Sequence, residues 1–199
     1  MKNITLTEDE RDVLQELMNV AYGASAAIIA EILDAFASLS IPNIKVMGTK
    51  ELLEEFKKLK EDSYFFSTQS FIGEFSGESV FFIDNESAKN LANHLELEGE
   101  EDLEDAILEI TNVLTSSLTT RLAQEINANI KFSTPNINNV LLAEIGENKT
   151  FKEYSQVIVM ETEINFEDQK INAVIFILTK DDSIEWLKNQ LNIILETLI

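Results

Sequence analysis

From Val13 onward the apolar residues Val13, Leu14, Leu17, Val20, Ala21, Ala24 and Ile28 recur at the spacing of one helical face. A capping box from Thr7 to Glu10 opens this long helix, which is predicted to run to about Ala37. Pro42 ends the helical region, because a proline cannot continue one. Ile44 to Met47 then reads as a short strand, and Leu52, Leu53, Phe56 and Leu59 mark a second helix capped by Thr49. The period next changes. Tyr64 to Phe75 and Ser79 to Asp84 read as strands joined at Ser76-Gly77, a hairpin signal, and Ser87 to Leu95 as an amphipathic third helix. The series then restarts with a long helix from about Asp102, then Pro135, a strand pair Tyr154–Phe166 and Lys170–Thr179, and a closing helix Ser183–Leu198.

The restart reads as an internal repeat. A shift of 93 residues overlays Asp12 on Asp105, Glu16 on Glu109, Asn19 on Asn112 and Pro42-Asn43-Ile44 on Pro135-Asn136-Ile137. Near the end of the unit the shift is 96, which matches Ser87, Leu91, Asn93 and Leu95 with Ser183, Leu187, Asn189 and Leu191. We therefore expect one domain made of two repeats, about 7–96 and 101–198, joined by the acidic stretch Glu96 to Asp102. The expected fold class is α+β. Two helix-strand-helix-strand-strand-helix units, related by a pseudo-twofold, would build a shared sheet flanked by helices.

Composition removes whole classes of chemistry. A chain of 199 residues that is 45% hydrophobic can bury a core. Without cysteine it has no disulfide, no thiolate nucleophile and no Cys-ligated metal. Its single histidine, His94, leaves no cluster for zinc and makes a Ser–His–Asp triad hard to assemble. Net charge is -21, the wrong sign for holding nucleic acid or an anionic membrane. There is no GxGxxG and no GxxxxGK[ST] phosphate cradle. No export signal or spanning run is visible, so a cytoplasmic protein is expected.

One feature of the long helices lacks a structural job. At about 100° per residue, Asp12, Glu16 and Asn19 share a narrow stripe facing away from Leu14, Leu17 and Ile28. On an exposed face asparagine is a mediocre helix former. Gly23, Ala26 and Ala27 continue the stripe, and a mid-helix glycine costs roughly 1 kcal/mol against alanine. The second copy repeats it as Asp105, Glu109 and Asn112, followed by Ser116, Thr119 and Thr120. A long polar pair followed by small residues suits a face that another protein approaches closely. A single Glu-x-x-Asn arises by chance in many helices, and small residues commonly just pack on a neighbour. Two copies of Asp-x3-Glu-x2-Asn-x22-Pro make chance a poor explanation.

That doubled signature, Asp12-Glu16-Asn19-Pro42 and Asp105-Glu109-Asn112-Pro135, resembles the CheC/CheX/FliY family of chemotaxis phosphatases. Two intact signatures on one chain of this length resemble the CheC branch most. The resemblance implies hydrolysis of the aspartyl phosphate on a CheY-type response regulator. Asn19 and Asn112 would align the attacking water, and Glu16 and Glu109 would anchor each pair to the regulator's active-site lysine. Asp12, Asp105, Pro42 and Pro135 would support the two sites. The Mg²⁺ belongs to the regulator, so the chain is expected to need no metal or cofactor of its own. The charge balance points the same way: with only Arg11 and Arg121 as arginines, the chain is poorly built to grip a free phosphoester.

The resemblance also admits a non-catalytic adaptor, like the middle domain of flagellar switch proteins, or a binding module that regulates the receptor deamidase CheD. Other candidate chemistry is weak. His94 overlays Gln190, Ser116 and Ser117 have no base nearby in sequence, and no Glu-x-x-His pattern suggests a di-metal site. Phe65, Phe66, Phe71, Phe75, Phe81, Phe82 and Trp186 are expected in the core.

Overall fold

A computed structural model describes residues 5–32, 38–40, 43–56, 58–59, 63–141, 155–166, 168–179 and 181–198. The helices are α1 (Glu8–Ile32), α2 (Thr49–Phe56), α3 (Asn85–His94), α4 (Glu100–Glu125) and α5 (Asp181–Leu198). The strands are β1 (Ser38–Leu39), β2 (Asn43–Gly48), β3 (Ser63–Gly73), β4 (Gly77–Asp84), β5 (Ile130–Phe132), β6 (Asn136–Leu141), β7 (Gln156–Phe166) and β8 (Ile171–Thr179). Pro42, Tyr154 and the stretch to Ala37 lie outside the described residues.

All described strands join one antiparallel sheet in the order β1-β7-β8-β4-β3-β5, with β2 also on β7 and β6 also on β3. The two hairpins, β3–β4 and β7–β8, meet at its centre, where Gly77 faces Thr179 and Ile83 faces Ala173. Each outer strand crosses over: β2 follows α1 yet pairs with β7, and β6 follows α4 yet pairs with β3. The mixed α/β architecture of the expected fold class is therefore present, a single sheet flanked by helices. The 93-residue shift carries β2 onto β6 and β3 onto β7.

Alternation along the strands sends side chains to two cores. One face packs under α1, α3, α4 and α5, with Leu14, Met18, Phe65, Phe71, Phe81, Leu114, Leu118 and Leu187 buried between the layers. The opposite face packs under α2, where Phe56 meets Phe82 at 5.2 Å and Phe176 at 5.0 Å between ring centroids. All six phenylalanines expected in the core are buried, Phe66 and Phe82 under α2 and the other four on the opposite face, where Trp186 packs half-buried.

Local chemistry moves some boundaries. Asp84 caps α3 by accepting from Ser87 N at 2.7 Å, so that helix begins at Asn85 and not at Ser87. Likewise α5 starts at Asp181, whose carboxylate accepts from Gln156 N at 3.0 Å. Strand β3 ends at Gly73, not Phe75, and α2 ends at Phe56, short of Leu59. Gly77 was expected as a turn residue, but it stands in β4 without a positive φ. What excludes a side chain there is proximity: a Cβ would lie 2.0 Å from Leu178 O and 2.5 Å from Phe71 Cζ.

The start of α1 is tied to α5. Thr7 N donates to Glu10 Oε2 at 2.8 Å and Glu10 N donates back to Thr7 Oγ1 at 3.2 Å, closing the capping box. The buried Glu10 carboxylate also pairs with Lys188 at 3.1 Å and accepts from Asn192 Nδ2 at 2.9 Å. Burial opposes its charge, but the bonds from Thr7, Asn192 and Lys188 outweigh it and hold the carboxyl below its ordinary 4.5. A depressed carboxyl stabilises the fold above its unfolded value, and that share is lost as pH falls through the folded value. Lys188→Met should cost about 2 kcal/mol near neutrality. Urea unfolding should show the gap between wild type and variant closing as the pH drops below 4.5. A gap independent of pH would contradict the pairing.

Candidate functional site

Helix α1 turns Leu14, Met18, Ala21, Tyr22 and Ser25 inward, and α4 does the same with Ile107, Ile110, Thr111, Leu114 and Leu118. The two helices pack along each other, and Ser117 Oγ lies 2.9 Å from Ser25 Oγ across their interface. Geometry then leaves the opposite stripe to solvent. Asp12, Glu16 and Asn19 on α1 are all exposed, and so are Asp105, Glu109 and Asn112 on α4. Among the described residues neither Glu16 nor Glu109 has a cation beside it, and Asp12 and Asp105 make no hydrogen bond or ion pair. No contact yet carries the supporting role expected of those two aspartates.

The small-residue continuation differs between the helices. Gly23 and Ala27 are exposed, and a Cβ on Gly23 would meet nothing within 4 Å, so no packing among the described residues requires that glycine. Val20 and Ile28, expected on the buried face, are 43% and 41% exposed. The buried stripe runs through Leu14, Met18 and Ser25, which rotates Val20 outward beside Asn19. On α4, Thr119 is buried, against expectation, and its hydroxyl donates to Thr115 O. Arg121, which the shift overlays on Ile28, is engaged by Glu125 at 2.8 Å.

Sequence reasoning missed Gln69. This residue is 1% exposed on β3 and reaches α4, where its Nε2 donates to Asn112 Oδ1 at 2.8 Å and to Ser133 O at 2.9 Å. A main-chain carbonyl can only accept, so the Gln69 atom between these partners is the amide nitrogen. The Asn112 atom facing it must then be the carbonyl oxygen, which leaves the Asn112 NH₂ on the solvent side. Ser133 stands two residues before Pro135, so the second signature proline lies beside the loop that orients this network. The available signal was a long amide at an inward position of a strand whose neighbouring inward residues include Phe65 and Phe71.

The six side chains stand on exposed helix faces. A cavity of about 560 Å³ opens on the other face of the sheet, lined by residues including Glu55, Lys58, Glu161 and Glu163, and none of the six stripe residues borders it. Small-molecule sites are concave, so exposed acid–amide pairs suit a macromolecular partner better. Among the described residues there is no group of His, Asp and Glu able to hold a metal ion, and no helix long and apolar enough to cross a membrane.

Comparison with known proteins gives a consistent picture. No family model matches the chain. The CheY-P phosphatase CheC of Bacillus subtilis (strain 168) is 27% identical over 200 residues, covering 92% of this chain and 93% of that protein. Among solved structures, Thermotoga maritima FliY superposes with a TM-score of 0.72 at 17% identity, covering 95% of this chain and 98% of that one. The FliM middle domain from H. pylori gives 0.66 at 13% identity, covering 93% and 99%. A chain of the CheX–CheY–BeF3–Mg complex from Borrelia burgdorferi gives 0.52 at 13% identity, covering 81% and 96%. The structural likenesses show a common fold, and the sequence match to CheC spans nearly the whole of both chains. In sequence the chain is similar to CheC, and in fold to FliY and CheX.

Proposed function

We propose that this protein is a phosphatase for the aspartyl phosphate of a CheY-type response regulator, with one site on α1 and another on α4. The observation that carries the reading is the same Glu-x-x-Asn pair, solvent-facing on both long helices of a chain similar to CheC. Water attacks the phosphorus, the bond to the aspartyl oxygen breaks, inorganic phosphate leaves, and the regulator's aspartate side chain is restored as a carboxylate. Such transfer needs positioning and charge stabilisation more than covalent work by the enzyme. Asn19 or Asn112 can donate to and accept from that water and hold it in line. Glu16 or Glu109, one turn away, offers a carboxylate unpaired among the described residues to a cation on the partner, the regulator's active-site lysine.

The regulator brings its own Mg²⁺, and this offsets the repulsion between a phosphoryl group and a chain of net charge -21. The exposed Val20 and Ile28 supply apolar surface beside the α1 pair for a protein partner. CheD is a further partner under this reading, and the cytoplasm its place of action. The test adds sub-stoichiometric protein to a phosphorylated CheY-type regulator and follows the acyl phosphate. Multiple-turnover loss of phosphate is expected. Binding without acceleration would assign the chain to the adaptor class instead.

A further inference from the structure

The two long helices stand over matching clasps that hold different residues. Beside β3, Ser133 N donates to Ser70 O at 2.9 Å and Ser70 N donates to Ser133 Oγ at 3.1 Å. Beside β7, Ser40 N donates to Glu163 O at 2.9 Å and Glu163 N donates to Ser40 Oγ at 2.9 Å. The 93-residue shift relates Ser40 to Ser133 and Ser70 to Glu163, so the backbone frame is the same in both places. The preceding strand residue differs: Gln69 in one and Thr162 in the other, both buried.

Gln69 is long enough to spend both N–H bonds, one on Ser133 O and one on Asn112. Thr162 is shorter and carries no amide. Its hydroxyl is buried and turned toward Tyr22 of α1, without hydrogen-bond geometry. Asn19, correspondingly, makes no side-chain hydrogen bond among the described residues. Holding Gln69 in this place is costly, because its Oε1 is buried with no partner, a penalty of roughly 1–3 kcal/mol. An aliphatic residue would satisfy the apolar row of β3 at no such cost. The penalty therefore calls for a compensating role, and the contact with Asn112 supplies one.

We propose that Gln69 is a positioning residue that locks the Asn112 carboxamide, carbonyl inward and NH₂ outward, and so presets the α4 site alone. This rests on the phosphatase reading of that site. A free asparagine amide samples both faces of a broad two-fold rotor, so at α1 the water-aligning geometry must be found after the partner docks. At α4 that search is already complete before docking.

The test uses Gln69→Met, which keeps the length and removes both N–H bonds. In an Asn19→Ala background, which leaves only the α4 site, Gln69→Met should lower kcat about tenfold and leave KM within about twofold. In an Asn112→Ala background, which leaves only the α1 site, the same change should move the rate by less than about twofold. Damage to the fold would lower both rates, and equal losses, or no loss in either background, would overturn the proposal. A second readout is independent of catalysis. In wild type the Asn112 Nδ2 order parameter should approach that of rigid backbone, about 0.85, and Asn19 should fall below about 0.6. Gln69→Met should bring Asn112 down to the Asn19 level. Equal mobility of the two amides in wild type would overturn the lock even if hydrolysis were observed. If the wild type does not hydrolyse, the phosphatase reading fails and the order parameters alone decide the lock.

Discussion

Replacing Asn19 and Asn112 together by alanine should remove the acceleration of regulator dephosphorylation, by about 100-fold or more, and leave the regulator's own slow decay. The expected size follows from the exposed position of both amides. Asn19 makes no side-chain hydrogen bond among the described residues, so its truncation removes a positioning group and little else. Asn112→Ala additionally leaves one Gln69 N–H without its acceptor, a cost of about 1–3 kcal/mol, so its melting curve belongs beside its rate. Each single variant should retain the activity of the other helix. Phosphate release at the wild-type rate from the double variant, measured under single-turnover conditions, would remove both asparagines from the reaction.

The second large effect is on binding. Glu16→Lys and Glu109→Lys in one chain should weaken affinity for the phosphorylated regulator about 100-fold, because each replaces an attraction to the partner's lysine by a repulsion. Both positions are exposed, so the fold should be unaffected. An electrostatic origin has its own signature: the deficit should narrow as salt is raised, since exposed charges are screened within a Debye length. Titration of the regulator at low and high ionic strength reads both. Affinity unchanged by the double charge reversal would show that the glutamates do not anchor the partner.

Much of this was visible in the spacing of residues. Helical periodicity placed α1 and α4, the alternating runs placed the two central hairpins, and the 93-residue shift aligned two stripes that both lie in solvent. What escaped has particular causes. Strands β1 and β5 cover only Ser38–Leu39 and Ile130–Phe132, too short to show alternation, and they exist because β7 and β3 offer them open edges. Val20 and Ile28 look like core residues by spacing, and only the rotation of α1 about Met18 and Ser25 brings them outward. Gly77 reads as turn punctuation, whereas the approach of Leu178 and Phe71 determines it, a tertiary fact with no local signature. Gln69 is 43 residues from Asn112 in sequence, so nothing local links them.

The candidate site divides in the same way. Its exposed acids and amides were legible because they repeat. The support beneath them was not, because it differs: Gln69 under α4, Thr162 under α1. Pro42 lies outside the described residues, and Pro135 is half-buried two residues past the Ser133 carbonyl that orients Gln69.

The most direct measurement is a crystal structure of the chain bound to a CheY-type regulator carrying beryllium fluoride and Mg²⁺ in place of the phosphoryl group. The account predicts a regulator seated on α1, on α4 or on both, with the Asn19 or Asn112 carboxamide at the fluoride and Glu16 or Glu109 on the regulator's lysine. A regulator docked on α2 or the far face of the sheet, with both stripes left in solvent, would contradict it.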